Sequence, residues 1–226
     1  MASILKVDKI RGTGLDSDTI TLDGSGNITI PKNVTFSGTV SGCNIFHEKL
    51  LEADIAAGTS DYSVDETYIN SSFDEYRIYF NAKNSNDNVD LRCQLLLTTS
   101  ASGAGSIISG NLYSYETSAM GGATYGANNG SSYATISPIN SGNGTGEGIQ
   151  FEGVLVNAND TTQCTVMNGL GSNITTNGAT GGFNFHVAIG SPVTYGAYYC
   201  RGFKLYFGAG TFSGKIRVYG LSLIHI

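Results

Sequence analysis

The acid and base residues of this chain offer three kinds of chemistry, and each needs partners at a particular spacing. Paired carboxylates flanking a sugar bond cleave glycosides, and Glu147 with Glu152, or Asp61 with Asp65 and Glu66, are the available pairs. Their context is loop or strand edge, with nothing nearby to raise one carboxyl's pKa, so solvated acids are expected. A Ser or Cys nucleophile needs a base, and neither His47 nor His186 has a motif around it. His186 falls on the outward face of a strand and reads as a solvated or interfacial imidazole. Asp16, Asp18 and Asp23, or Asp87 with Asp90, could offer oxygens to calcium, but neither group follows the calcium-loop pattern. Gly121-Gly122 and Gly142-Asn143-Gly144 lack a following helix or Lys-Ser/Thr, which excludes a phosphate cradle. Cys43, Cys93, Cys164 and Cys200 are widely spaced, with no Cys-x-x-Cys pair. Free, mostly buried thiols are expected, with no metal and no cofactor.

Recognition is better supplied than catalysis. Tyrosine joins a flat apolar ring to a hydroxyl, which suits stacking on sugars or packing into a partner at low entropic cost. There are 13 tyrosines, and Tyr113, Tyr115, Tyr125 and Tyr133 lie in or beside Gly/Ser/Asn-rich stretches. These four are the expected ligand-binding residues; for any one of them the competing expectation is ordinary core packing. A net charge of -6 leaves no basic stripe for nucleic acid or an anionic membrane. No nucleic-acid partner and no membrane insertion are expected.

The elements that must position these residues are strands. Charged residues make up 13% of the 226, with 31 Gly, 3 Pro and no Trp, a mixture suited to strands and tight turns. Tyr76, Ile78, Phe80 and Ala82 alternate with Arg77, Tyr79 and Asn81, and after the polar loop 84–88 Val89, Leu91, Cys93, Leu95 and Leu97 line another face. The two read as a long antiparallel hairpin. Residues 120–133 and 168–182 read as Gly/Asn loops, the first a candidate working surface. Ile149, Phe151 and Gly153 alternate until Val154-Leu155-Val156 breaks the phase, which reads as a bulge or a strand buried on both faces. Phe183, Phe185, Val187 and Ile189 form one strand face, and Phe203, Leu205 and Phe207, then Ile216 and Val218, form a closing hairpin. Residues 46–55 could be a helical turn or an edge strand; strand is favoured because everything around it is β. The expected fold is all-β: a short N-terminal strand stem followed by an antiparallel, jelly-roll-like sandwich.

The stem spans residues 1–44. It repeats an apolar-Thr-apolar unit as Ile20-Thr21-Leu22, Ile28-Thr29-Ile30 and Val34-Thr35-Phe36, then ends at a Gly/Ser hinge. One copy of such a segment leaves its apolar side chains wet. Three copies around one axis would bury Ile20, Leu22, Ile28, Ile30, Val34 and Phe36. The opening six residues reach a charge at Lys6 with no long apolar run behind it, so neither a signal peptide nor a membrane anchor is expected, and synthesis in a cytoplasm is. On that basis the seven Asn-x-Ser/Thr sequons, at Asn27, Asn33, Asn70, Asn129, Asn143, Asn159 and Asn173, read as turn composition rather than glycan acceptors. The sandwich occupies residues 45–220. Residues 221–226, Leu-Ser-Leu-Ile-His-Ile, equal the translation of a transposase mosaic-end adapter and are expected to be a non-native tail.

Two stretches carry a resemblance. Met1-Ala2-Ser3-Ile4-Leu5-Lys6-Val7-Asp8-Lys9-Ile10, running through Asn33-Val34-Thr35-Phe36-Ser37-Gly38-Thr39-Val40, resembles the N-terminal segments of tail proteins from marine tailed bacteriophages. Phe212-Ser213-Gly214-Lys215-Ile216-Arg217-Val218-Tyr219-Gly220 resembles the final hairpin of sandwich domains in the same tail and fibre proteins. The resemblance implies a virion component made in the host's cytoplasm, usually a homotrimer. Its N-terminal part would attach to other tail proteins or trimerise, and its sandwich would meet the host surface. Neither stretch carries a catalytic residue. The resulting expectation is a non-enzymatic tail-fibre or tail-tip protein that adheres to host-surface glycan through sandwich loops. The alternative is a structural virion protein, in the collar, baseplate or head decoration, whose sandwich packs on other phage proteins.

Overall fold

The computed structural model describes residues 9–10, 20–22, 28–29, 47–100, 102–107, 113–119, 124–137, 141–175, 178, 180–189 and 198–221, with side chains from 47 onward except at 124–130 and 189. The chain divides into two compact units, Met1–Asn44 and Ile45–Ile226. In the first, β1 (Lys9–Ile10), β2 (Ile20–Leu22) and β3 (Ile28–Thr29) form a small antiparallel sheet in that order. Thr21 pairs with Thr29 and Leu22 with Ile28, so the repeated units meet in register. Ile30, Val34 and Phe36 lie outside the described residues, as do 222–226.

The second unit is all-β, and its strands form two antiparallel sheets arranged as a sandwich. The elements are β4 (Glu48–Thr59), β5 (Asp61–Val64), β6 (Glu75–Asn84), β7 (Leu91–Thr98), β8 (Ser106–Ile107), β9 (Tyr113–Ala119), β10 (Thr124–Ser131) and β11 (Ala134–Thr135), followed by β12 (Gly148–Val156), β13 (Val166–Ile174), β14 (Thr180–Ile189), β15 (Tyr199–Phe207) and β16 (Phe212–Leu221). The larger sheet runs β10-β9-β14-β13-β12-β6-β16-β4, and the smaller runs β11-β7-β15-β5, with β8 beside β7. Residues 48–55 are strand, as expected, and β4 stands at the edge of the larger sheet.

The expected hairpins of β6 with β7 and of β15 with β16 are not formed: in each case consecutive strands belong to different sheets. The reason lies in their faces. Tyr76, Ile78 and Phe80 on β6, like Leu91, Cys93 and Leu95 on β7, are buried to within 2%. Two such strands bury more apolar surface stacked face to face than paired edge to edge. Loops 84–88 and 208–211 therefore both cross between sheets at one end of the sandwich, where they are tied together. Asn84 Nδ2 donates to Ala209 O at 3.0 Å, the Ser85 amide donates to Thr211 O at 2.7 Å, and the Thr211 amide returns a bond to Ser85 Oγ at 3.0 Å.

Two other expectations are also corrected. Residues 124–131, and 168–174 and 180–182 of the second stretch, are strand rather than loop, and β12 has no bulge. Ile149, Phe151, Gly153 and Leu155 keep one buried phase, and Val154 and Val156 are the half-buried residues of the other face. Glycine explains the misreading of β13. Gly169 and Gly171 point inward, between Gly153 and Phe185 and between Phe151 and Phe183 respectively. A Cβ on Gly169 would stand 2.5 Å from Phe185 Cζ. These glycines are gaps into which the rings of β14 lie, not turn residues. The rings continue a run across the core, with Phe185–Phe151 centroids at 5.4 Å, Phe151–Phe80 at 5.3 Å and Phe80–Phe212 at 6.1 Å.

Candidate functional site

With one face of the larger sheet given to the core, alternation fixes what the other face displays. Register reads out as three rows crossing the strands. Asp54, Lys215, Asn81, Gln150, Ser172 and Gly182 form the first. Glu52, Arg217, Tyr79, Glu152, Leu170 and Asn184 form the second. Lys49, Tyr219, Arg77, Val154, Asn168 and His186 form the third. At their centre Arg77-Ile78-Tyr79 on β6 runs antiparallel to Arg217-Val218-Tyr219 on β16, so each Arg faces the other strand's Tyr. The Tyr79 and Tyr219 rings meet edge to face at 5.8 Å.

A groove of about 550 Å³ opens on this face, flanked by Tyr79, Leu170, Lys215 and Arg217 and floored by Gln150 and Ser172. It exists because Gly182 and Ser172 leave the first row low, while Tyr79 and Leu170 stand up beside it. Leu170 is 59% exposed, the most exposed large apolar residue among those described, and Tyr79 is 37% exposed. A second depression of about 210 Å³ shares Tyr79 and Arg217 and reaches His47, and a third of about 240 Å³ shares Asn81, Gln150 and Ser172 and reaches Lys83. Through these shared residues the three adjoin one another as a furrow: the first crosses the strands between the first and second rows, and the other two lie to either side of it along β6, from Arg77 to Lys83, about 20 Å at the usual strand rise.

Charges on the face are paired. Arg217 Nε donates to Glu52 Oε1 at 2.9 Å, and Lys49 Nζ reaches Glu52 Oε2 at 2.9 Å. Lys215 stands 3.1 Å from Asp54, and Arg77 stands 3.8 Å from Glu152. Hydrogen bonds from Lys49 and Arg217 lower the Glu52 carboxyl from 4.5 to about 2. Because the folded value is the lower one, the stability Glu52 contributes is complete above pH 4.5 and is lost as the pH falls toward 2. A carbon-detected NMR titration should place Glu52 near the lower limit, and Lys49→Met or Arg217→Met should return it toward the ordinary range. An unshifted Glu52 in the wild type would contradict the pairing.

The four tyrosines expected from the sequence are not brought together as one surface. Tyr113 is 1% exposed; its hydroxyl accepts from the Leu95 amide at 2.7 Å and donates to Leu95 O at 3.3 Å. It is a core tyrosine that ties β9 to the facing sheet, and burial pushes its pKa up. Tyr115 sits beside Val187 on the same inner face. Tyr133 lies against the smaller sheet, with the Arg92 guanidinium 4.2 Å from its ring centre. Tyr125 belongs to β10, where side chains are outside the described residues. Tyr113→Phe should therefore cost about 1–2 kcal/mol, because the Leu95 amide loses its buried partner, and it should leave any ligand affinity unchanged. Thermal melts with a parallel binding assay check both.

The acidic pairs are drawn into the scaffold or into this face. The Gly144 amide donates to Glu147, closing its turn, and Glu152 lies beside Arg77. Asp65 accepts from the Thr67 amide at 3.0 Å. Asp90 accepts from Arg92 Nε at 2.8 Å, and Asp87 accepts from the Asn143 amide at 2.7 Å. Among the described residues no cluster of three His, Cys, Asp or Glu side chains is placed to hold a metal. Cys93 and Cys200 are free and buried, and desolvation carries the Cys200 thiol to about 12.

Two residues of the groove escape a reading of the sequence. Leu170 is hidden in a Gly/Asn stretch that reads as loop, and Tyr79 reads as the solvated face of a strand. The available signal was the repetition of Arg-x-Tyr on the outward faces of two strands. Comparison with family models, with curated proteins and with solved structures gives no match.

Proposed function

We propose that this chain is a non-enzymatic virion component, a tail-fibre or tail-tip protein that adheres to host-surface glycan, and that the outer face of the larger sheet is its binding surface. The observation that carries the binding assignment is the furrow itself. Apolar flanks at Tyr79 and Leu170 stand beside hydrogen-bonding side chains at Asn81, Gln150, Glu152, Ser172 and Arg217. Sugars present this combination in reverse, with apolar C–H faces edged by hydroxyls, and tyrosine serves both.

The virion assignment is supported by the resemblance of residues 1–10, 33–40 and 212–220 to marine phage tail proteins. Strand order supports the finer jelly-roll reading. Strands β4-β16-β6-β12 opposite β5-β15-β7-β11 follow the jelly-roll order, and the β9–β10 and β13–β14 hairpins widen one sheet. Jelly rolls recur in lectin and viral capsid domains. The N-terminal unit serves as attachment and trimerisation stem in this reading, with its apolar-Thr-apolar strands completed by two further copies.

Binding of the full chain to a glycan array and to host cells tests the function, and light scattering tests the assembly. Glycan-dependent binding by a trimer is the expected result. Binding to purified tail proteins but to no glycan would favour the structural virion role, and a monodisperse monomer at micromolar concentration would contradict the stem's role.

A further inference from the structure

Granting the glycan-binding reading, on which this step rests, we infer that the furrow takes an internal stretch of an uncharged polysaccharide, rather than a terminal sugar or an acidic polymer. Two features of the face lead there. The first is charge. The four cations at the centre of the face stand beside three carboxylates: Arg217 and Lys49 share Glu52, Lys215 lies 3.1 Å from Asp54, and Arg77 lies 3.8 Å from Glu152. A sulfate or carboxylate on a ligand would have to sit beside the carboxylates already paired with these cations, and they would repel it.

A neutral hydroxyl faces no such repulsion. It can accept from an Arg or Lys N–H left over after pairing, and donate to a carboxylate oxygen left over in the same pair, without breaking either. Gln150 and Ser172 offer the same double character on the floor, already joined by a bond of 3.0 Å from Gln150 Nε2 to Ser172 Oγ. The face therefore presents alternating donors and acceptors with little net charge.

The second feature is shape. The depression at Tyr79 continues past Arg217 toward His47 in one direction and past Asn81 toward Lys83 in the other. Tyr79 stands at the middle of this furrow rather than at a blind end. A pocket for a terminal sugar would be closed on one side, whereas this one lets a chain enter and leave. Tyr79 and Leu170 both stand on the second row with Glu152 between them, so they line one side of the groove where it crosses the strands from Lys215 to Gly182 and do not close its end.

The test is affinity electrophoresis and titration calorimetry of the full chain. The neutral probes are glucan, mannan, galactan and xylan polymers, and the acidic probes are alginate and carrageenan. Retention by at least one neutral polymer is expected, changing less than about twofold between about 50 and about 500 mM salt, because no screened ion pair to the ligand is formed. An oligosaccharide of that polymer should compete, and its monosaccharide should not at the same sugar concentration. Tyr79→Ala and Gln150→Ala should each weaken retention at least about tenfold, with melting temperature as the control for folding.

Retention by acidic polymers alone, collapsing with salt and still lost in Tyr79→Ala, would overturn the uncharged-ligand inference while keeping the glycan reading of the face. Competition by the monosaccharide as strong as by the oligosaccharide would overturn the internal-segment inference. Retention unaffected by Tyr79→Ala and Gln150→Ala, or no retention by any polysaccharide, would overturn the glycan-binding reading of this face and the inference with it.

Discussion

On the proposed glycan-binding reading, Tyr79→Ala should leave the protein folded and remove most of the polysaccharide affinity, about 2 kcal/mol or roughly thirtyfold in Kd. The two halves of this expectation come from different contacts. On the stability side, Tyr79 is more than a third exposed, and its described ring contact is the edge-to-face meeting with Tyr219. Losing that contact costs about 1 kcal/mol, which lowers Tm by about 2–4 °C in a domain of this size. On the binding side, the same ring is the aromatic flank of the groove and the link between two of its depressions. Aromatic anchors at the centre of a contact carry a disproportionate share of its energy. Tyr79→Phe separates ring from hydroxyl: it should keep most of the affinity if stacking dominates. Calorimetry of both variants against the same polymer decides the matter. An alanine variant that binds like wild type removes Tyr79 from the site.

Gly171→Ala should be among the most damaging single methyl additions in the sandwich, costing about 3 kcal/mol and lowering Tm by about 6–12 °C. The added Cβ would collide with Phe183 Cζ and stand 2.5 Å from the backbone oxygen of Gln150. The ring can move only by surrendering its place in a buried row, since Phe183 is fully buried. The carbonyl belongs to the strand next door, and it cannot move without disturbing the ladder between β12 and β13. Phe183→Leu in the same chain should recover part of the loss, because a smaller side chain vacates the space above the glycine. A double-mutant cycle read by denaturant unfolding measures this coupling. Additive single effects would mean that the ring does not fill the glycine's gap.

Much of the scaffold is legible in the sequence, because a strand with one buried face has to alternate. Tyr76 to Ala82, Leu91 to Leu97 and Phe203 to Phe207 announce themselves by period two, and each is buried on the expected face. Alternation identifies a strand's inner face but not its partner, so it could not separate β6 from β7 into facing sheets. Glycine is the second blind spot. In β13 the sequence Asn168-Gly169-Leu170-Gly171 has the composition of a turn, yet its glycines are inward positions occupied by rings of the next strand. That error concealed Leu170 and with it one wall of the groove.

The tyrosines show the same limit from the other side. Tyr113 sits beside Gly/Ser-rich sequence and reads as a loop residue, but its hydroxyl finds the Leu95 backbone in the facing sheet, 18 positions away in the chain. Composition ranks Tyr113 above Tyr79 as a binding residue, and accessibility reverses that order. Had the two Arg-x-Tyr strands been paired on paper, their outward side chains would have pointed to the same face.

Hydroxyl-radical footprinting with and without a bound polysaccharide tests the central claim most directly, because it reads side chains one by one on the intact protein. If the outer face of the larger sheet is the glycan surface, Tyr79, Leu170 and Tyr219 lose reactivity together when the polymer is added, while Tyr133 on the smaller sheet keeps its own. Protection at Tyr133 with Tyr79 and Leu170 unchanged would place the ligand elsewhere and contradict the assignment of this face.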